Sequence, residues 1–257
     1  MFFESHAHYD SKKFSDRDKI LLSLDNVSHV VNVGCDLGSS KTSIELSKKY
    51  SFVYATVGFH PHNVKDMTDS DLEKLGALSK EEKVVAIGEI GLDYHYDFSP
   101  RDVQKQRFAE QLELAKKVGL PVVIHSREAS KDIFDTLKNA GLSKRDGKGA
   151  GVLHCFSESA EMAKEYVKLG YCLGIGGVIT YNNAKQLVKV VEETPIESLL
   201  VETDCPYLSP VPNRGKLNDS MNLKYIVDKI AEIKNMSSED VAKVTSDNAK
   251  RLFEIRG

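Results

Sequence analysis

Seven polar residues draw attention because each lies at or near the end of a short apolar run. They are His6 and His8 in "FFESHAHYD", His60 in "FVYATVGFH", Glu89 in "KVVAIGEIGLDY", His125 in "LPVVIHS", His154 in "AGVLHCFS" and Asp204 in "SLLVETDCP". In an extended strand alternate residues share a face, so His6 and His8 project side by side. With His60 set aside, four histidines and two carboxylates make a mixed nitrogen and oxygen ligand set. Such a set suits Zn, Mn, Co or Ni, and less readily Ca or isolated Mg. A single histidine at a strand end is more often a hydrogen-bonded structural residue; recurrence at several strand ends is what outweighs that reading. A buried carboxylate is costly unless paired or metal-bound, and a metal accounts for Glu89 and Asp204 together. Asp93 reads as a support for the ligands or as structural, and His29 and His95 as structural. Cys155 and Cys205 read as packing residues. Ser126 and Ser157 follow two of the histidines, but neither lies in a G-x-S-x-G elbow, so covalent catalysis is the weaker option.

The elements that must position these residues alternate regularly. About eight near-continuous apolar runs, rich in β-branched residues, read as strands buried on both faces. Amphipathic stretches lie between them at Arg17–Asn26, Ser39–Tyr50, Ser70–Ser79, Arg101–Val118, Ala129–Asn139, Ser159–Leu169 and Asn183–Glu193. Two more follow the last strand, near Met221–Lys234 and Ser238–Phe253. Eight strand–helix units within 257 residues predict one α/β domain over the whole chain, a (β/α)8 TIM barrel. Its strands' carboxyl ends converge on one face, which would gather the polar residues. An open doubly wound sheet would need a dinucleotide fingerprint; "GIGG" at Gly174–Gly177 is too short for one, and no P-loop is present.

Composition narrows the class. A formal charge of −3 and a pI near 6.3 argue against a basic surface that coats nucleic acid non-specifically, though not against a local basic patch. No apolar run is long enough to span a membrane, and the first residues lack a secretory pattern. The four cysteines are widely spaced with no CxxC pair, the usage of a reducing compartment. A cytoplasmic monomer is expected, with no membrane association and no stable protein partner.

Taken in order, "SHAHYD", "TVGFHPHN", "GEIGLDYH", "IHSRE", "LHCFS", "ETDCPYLSP", "PNRGKLN" and "NAKRLF" resemble the motifs of the TatD family. These are metal-dependent deoxyribonucleases of the amidohydrolase-like barrel group, and the resemblance spans essentially the whole chain. It implies a site for two divalent ions (Mg, Mn or Zn) ligated by His6, His8, Glu89, His125, His154 and Asp204. In that picture His6, His8 and Asp204 hold one ion, His125 and His154 the other, and Glu89 bridges them. No lysine ends the fourth or fifth strand where relatives carry a carbamylated one. Two departures stand out: Glu4 where an aspartate is common, and Ser220 where a proline is common, a change expected to loosen that loop.

Phosphodiester hydrolysis then follows as the expected reaction, with Asp204 as general base and Glu89 as the other catalytic carboxylate. Glu202, two residues before Asp204, would orient a ligand; a salt bridge inside the barrel is the competing reading. His60, His62, Arg127 and Arg214 are candidate phosphate contacts, since arginine forks match phosphate geometry. Phe59, Tyr94, Phe156 and Tyr207 would either stack on a terminal base or be buried. The expected substrate is DNA, attacked at single-stranded ends. A metallohydrolase for an ester or amide bond, such as a D-aminoacyl-tRNA deacylase, is the alternative, and a non-catalytic metal-binding barrel a third.

Overall fold

The computed structural model describes residues 1–142 and 149–255. The apolar runs form strands β1 (Phe2–Ala7), β2 (Val27–Asn32), β3 (Val53–Val57), β4 (Val84–Asp93), β5 (Val122–Arg127), β6 (Gly151–Leu153), β7 (Tyr171–Ile175) and β8 (Leu199–Val201). Each pairs in parallel with the next in chain order. The seam between β8 and β1 is drawn together just beyond their ends. His8 N–H donates to the Cys205 carbonyl (2.8 Å) and Asp204 N–H to the His6 carbonyl (3.0 Å), beside a parallel bridge between Ala7 and Cys205. Helices α1 (Arg17–Leu22), α2 (Leu37–Lys49), α3 (Asp69–Leu78), α4 (Arg101–Val118), α5 (Ser130–Ala140), α6 (Ala160–Lys168) and α7 (Lys185–Glu193) alternate with the strands. After β8 come α8 (Leu223–Lys234) and α9 (Ser238–Phe253). This is the (β/α)8 barrel that the sequence predicts.

Two apolar clusters hold it together. The larger lies between the sheet and its helices. The smaller gathers Phe3, Val31, Val85, Val123, Val152, Cys172 and Leu200 from different strands with Leu252 and Phe253 of α9. Because α9 packs against both β1 and β8, it also backs the seam. The apolar interior at one end leaves the other free for polar groups.

Element ends differ from expectation where local geometry intervenes. Helix α1 stops at Leu22, because Ser23 turns both its N–H and its hydroxyl back onto the Ile20 carbonyl. Strands β6 and β8 are shorter than their apolar runs. Cys155 (φ 45°) and Asp204 (φ 54°) adopt left-handed backbone, which an extended strand cannot contain. His154 and Asp204 therefore sit on the turns that follow their strands. Among the described residues, no helix is long and apolar enough to cross a membrane.

Candidate metal centre

Strand β4 sets the centre of the site. It is buried along its whole length and delivers Glu89, 3% exposed in its side chain, to the floor of the barrel mouth. Its path is permitted by Gly91 (φ 146°), where a Cβ would lie 2.0 Å from the His125 carbonyl oxygen of β5. The two Glu89 oxygens face different groups. Oε2 lies 3.4 Å from His6 Nε2 and 3.8 Å from His8 Nε2. Oε1 lies 2.9 Å from His125 Nδ1, 3.0 Å from His154 Nε2 and 3.5 Å from His60 Nε2. Asp204 completes the first group, its Oδ1 3.3 Å from His8 Nε2 and 3.8 Å from His6 Nε2. The seam bonds carry this out: they tie the backbone of His6 and His8 to that of Asp204 and Cys205.

Hydrogen bonds behind the imidazoles fix which nitrogen faces inward. His8 Nδ1 lies 3.1 Å from the Val33 carbonyl, so Nδ1 carries the proton and Nε2 offers its lone pair. His125 turns Nε2 to Asp93 Oδ2 (3.0 Å), a carboxylate–histidine pairing that frees Nδ1 for a ligand role. Asp93 is fully buried and also receives His62 Nε2 at 2.9 Å, so it supports the site as well as the loop beyond it. His60 is different. Its Nδ1 accepts the His62 backbone N–H (3.1 Å), which leaves the neutral ring an N–H at Nε2 and no inward lone pair.

Burial works against the Glu89 charge, but the neighbouring His154 and hydrogen bonds from His125 and His154 hold its pKa well below the ordinary carboxylate value. Asp204 is likewise held down, burial being outweighed by the His8 hydrogen bond and by His154, His8 and His6. Burial drives His60 well below the usual imidazole value, more than Glu89 restores. His6 is also lowered, chiefly by burial. Ionised carboxylates among inward-facing imidazoles are the chemistry of a divalent-cation site. Buried His6 Nδ1 has no hydrogen-bond partner, and its Nε2 lies only 3.1 Å from His8 Nε2. Two buried imidazoles in such contact, with one carboxylate shared between two histidine groups, form a donor set that divalent cations would satisfy.

Glu202 stands directly behind this cluster. It is fully buried, accepts the Cys155 N–H at Oε1, and has that oxygen 3.5 Å from His154 Nδ1. Oε2 has no hydrogen-bond partner. Its carboxylate occupies the space that a side chain at position 174 would fill, a Cβ on Gly174 meeting Oε2 at 2.2 Å.

A cavity of about 770 Å³ opens above the cluster. His60, His62 and Arg127 line it, whereas Arg214 is exposed elsewhere, its guanidinium 4.3 Å from the centre of the Tyr181 ring. Cys155, expected to be packing, lines this mouth, as does Cys35, whose Sγ lies 3.8 Å from Glu89 Oε2. Of the candidate stacking rings, Phe59 and Phe156 are buried, and Tyr94 donates to Asp132 (2.6 Å); Tyr207 is 44% exposed. The rings that sequence reasoning overlooked are Tyr96 and Phe98, outside any apolar run. The loop after β8 is held rather than loosened: Ser220 is buried and shares a 2.7 Å hydrogen bond with Tyr9.

A sequence profile described as TatD related DNase matches residues 3–254. Among curated proteins, the uncharacterized metal-dependent hydrolase YabD of Bacillus subtilis is 44% identical over 99% of this chain and 100% of its own. The uncharacterized metal-dependent hydrolase TatD of Mycobacterium tuberculosis is 35% identical over 98% of this chain and 97% of its own. Among solved structures, that of YjjV, a TatD homolog from Escherichia coli K12, superposes with a TM-score of 0.92 at 31% identity, covering 99% of this chain and 98% of that one.

Proposed function

The chain belongs to the TatD family of metal-dependent hydrolases, and on that premise we propose that it hydrolyses phosphodiester bonds of DNA at single-stranded ends. The observation that carries the reading is Glu89, which turns one oxygen to each of two histidine groups at the floor of a cavity rimmed by Arg127. His6, His8 and Asp204 on one side, and His125 and His154 on the other, would hold divalent ions with Glu89 between them. Those ions would supply a lowered pKa for the attacking water and neutralise charge growing on the phosphoryl oxygens.

The chain's own side chains do the rest. Asp204, partly open to the cavity, takes the proton from the attacking water. His60 stays neutral and presents Nε2–H, which donates to a non-bridging phosphoryl oxygen. Asp93 holds His125 and His62 in orientation through a single carboxylate oxygen. Glu202 keeps His154 in place from behind. Arg127 at the rim draws the incoming phosphate. Arg214, over the Tyr181 ring and outside the cavity, would meet a bound strand only beyond the scissile bond.

The test is turnover by protein loaded with Mg, Mn or Zn on single-stranded oligonucleotides, beside ester and D-aminoacyl-tRNA substrates. Progressive shortening of the oligonucleotide is expected. Turnover of the ester or aminoacyl-tRNA alone would transfer the same site to the alternative reaction, and absence of bound divalent metal under every loading condition would end the metallohydrolase reading.

A further inference from the structure

We propose that a second cavity, beside the mouth, is a nucleobase slot in which Phe98 provides the stacking surface. This rests on the nucleic-acid reading above. The cavity measures about 540 Å³ and is lined by Phe98 with Phe59, His62, Asn63, Asp36 and Lys65 among others. It shares Asp36, His62 and Asn63 with the mouth, so the two spaces adjoin. The proposal places one phosphate above Glu89 and the neighbouring base in this second space.

The aromatic group at its edge is built for an aromatic ligand. Tyr96 and Phe98 follow β4 and are 47% and 55% exposed. Their rings stack 5.2 Å apart at 9°, and His62 meets both edge-on, at 5.4 Å and 4.9 Å. The Arg127 guanidinium lies 4.7 Å from the centre of the Tyr96 ring. Tyr96 is thus already engaged by Phe98 and Arg127, and Phe98 is the more open ring. The loop that carries them is fixed in advance. Asp93 Oδ1 accepts the backbone N–H of both His95 and Tyr96 at 3.0 Å. Arg101 clamps Asp97 with two 2.9 Å bonds, and Ser99 links to the His62 carbonyl at 3.1 Å. An exposed ring on a rigid loop loses little freedom when a base stacks on it.

Polar groups at the edge of the slot suit a base. Asp36 and Asp66 border the slot beside Lys65, and the two carboxylates can accept hydrogen bonds from exocyclic amines. Arg127 lies on the mouth side, where the phosphate belongs, and His62 stands between the two spaces. Stacking on a π-face tolerates every base, which suits a site with no groove-reading element among the described residues.

The experiment compares single-stranded oligonucleotides that differ by one abasic site, stepped through the positions next to the cut. Binding to the metal-loaded protein is read by fluorescence anisotropy and cleavage by KM and kcat. The wild type is expected to favour the intact strand about tenfold at one position, in Kd and KM rather than kcat. Phe98→Ala should erase that preference and Phe98→Trp should keep it, with melting curves confirming that both fold. An equal preference in Phe98→Ala, or none in the wild type, overturns the slot. If the wild type binds with the preference yet cuts no DNA, the slot stands and the hydrolysis reading fails. If it cuts DNA without the preference, the slot alone fails, and if it binds no oligonucleotide, both fall.

Discussion

In the proposed reaction Asp204 carries two demands in one side chain: it faces His6 and His8, 3.8 and 3.3 Å away, and it accepts a proton. Asp204→Asn keeps the shape and loses the charge, so kcat should fall by at least about 100-fold while the melting temperature holds. Full activity in that variant would remove Asp204 as general base. Glu202 acts at one remove, through His154, and Glu202→Gln is expected to weaken metal binding about 10–100-fold in a chelator competition. Rescue by Glu202→Asp would be poor, because its Oε1 reaches both the Cys155 N–H and the His154 ring from a fixed distance. At this scale the ligand candidates were legible, since an ionisable residue that ends an apolar run has few structural reasons to be there. Tyr96 and Phe98 were not, because exposed rings in a loop carry no period, and only their mutual stacking sets them apart. Nor was the proton position on His60, which depends on a backbone N–H two residues along.

Strand β4 does more than align in the sheet. Against β5 its register shifts between Ile87 and Ile90, the stretch that presents Glu89, and Gly91 lets it pass the His125 carbonyl. Gly91→Ala places a methyl group into that oxygen and strains a φ of 146°, so a large fall in melting temperature or insoluble protein is expected. Gly119, at the end of α4, has φ 74°, and apart from its chain neighbours none of the described residues comes within 4 Å of the point a methyl group would occupy. Gly119→Ala should therefore cost only about 1 kcal/mol, read by urea denaturation. Equal losses in the two variants would show that backbone conformation, not the close approach to His125, is what Gly91 answers. The order of strands and helices was legible from apolar runs and amphipathic stretches. Their ends were less so, because the left-handed turns at Cys155 and Asp204 are set by the tertiary fold, and residues of either type also occur in strands.

The molecule as a whole buries several groups that hold their protons tightly. Burial pushes the Cys172 thiol from 9.0 up to about 11 and raises the phenols of Tyr166 and Tyr171. Where the folded pKa lies above the unfolded one, the folded state binds more protons between the two values. The stability contributed is therefore complete below pH 9.0 and is lost as pH rises through about 11 for the thiol. Melting temperature should decline across that window, and Cys172→Val should flatten part of the decline; an unchanged slope would detach Cys172 from it. The barrel itself was legible because eight repeats of one pattern leave few architectures, whereas the closing of its seam by His6, His8, Asp204 and Cys205 needed the fold. That seam has a consequence for synthesis. A ribosome releases His6 and His8 well before Asp204, which lies far along the chain. A growing or truncated chain that stops short of Asp204 has neither the seam nor the complete cluster. Hydrolytic competence is thus withheld from a nascent chain until Asp204 has been supplied.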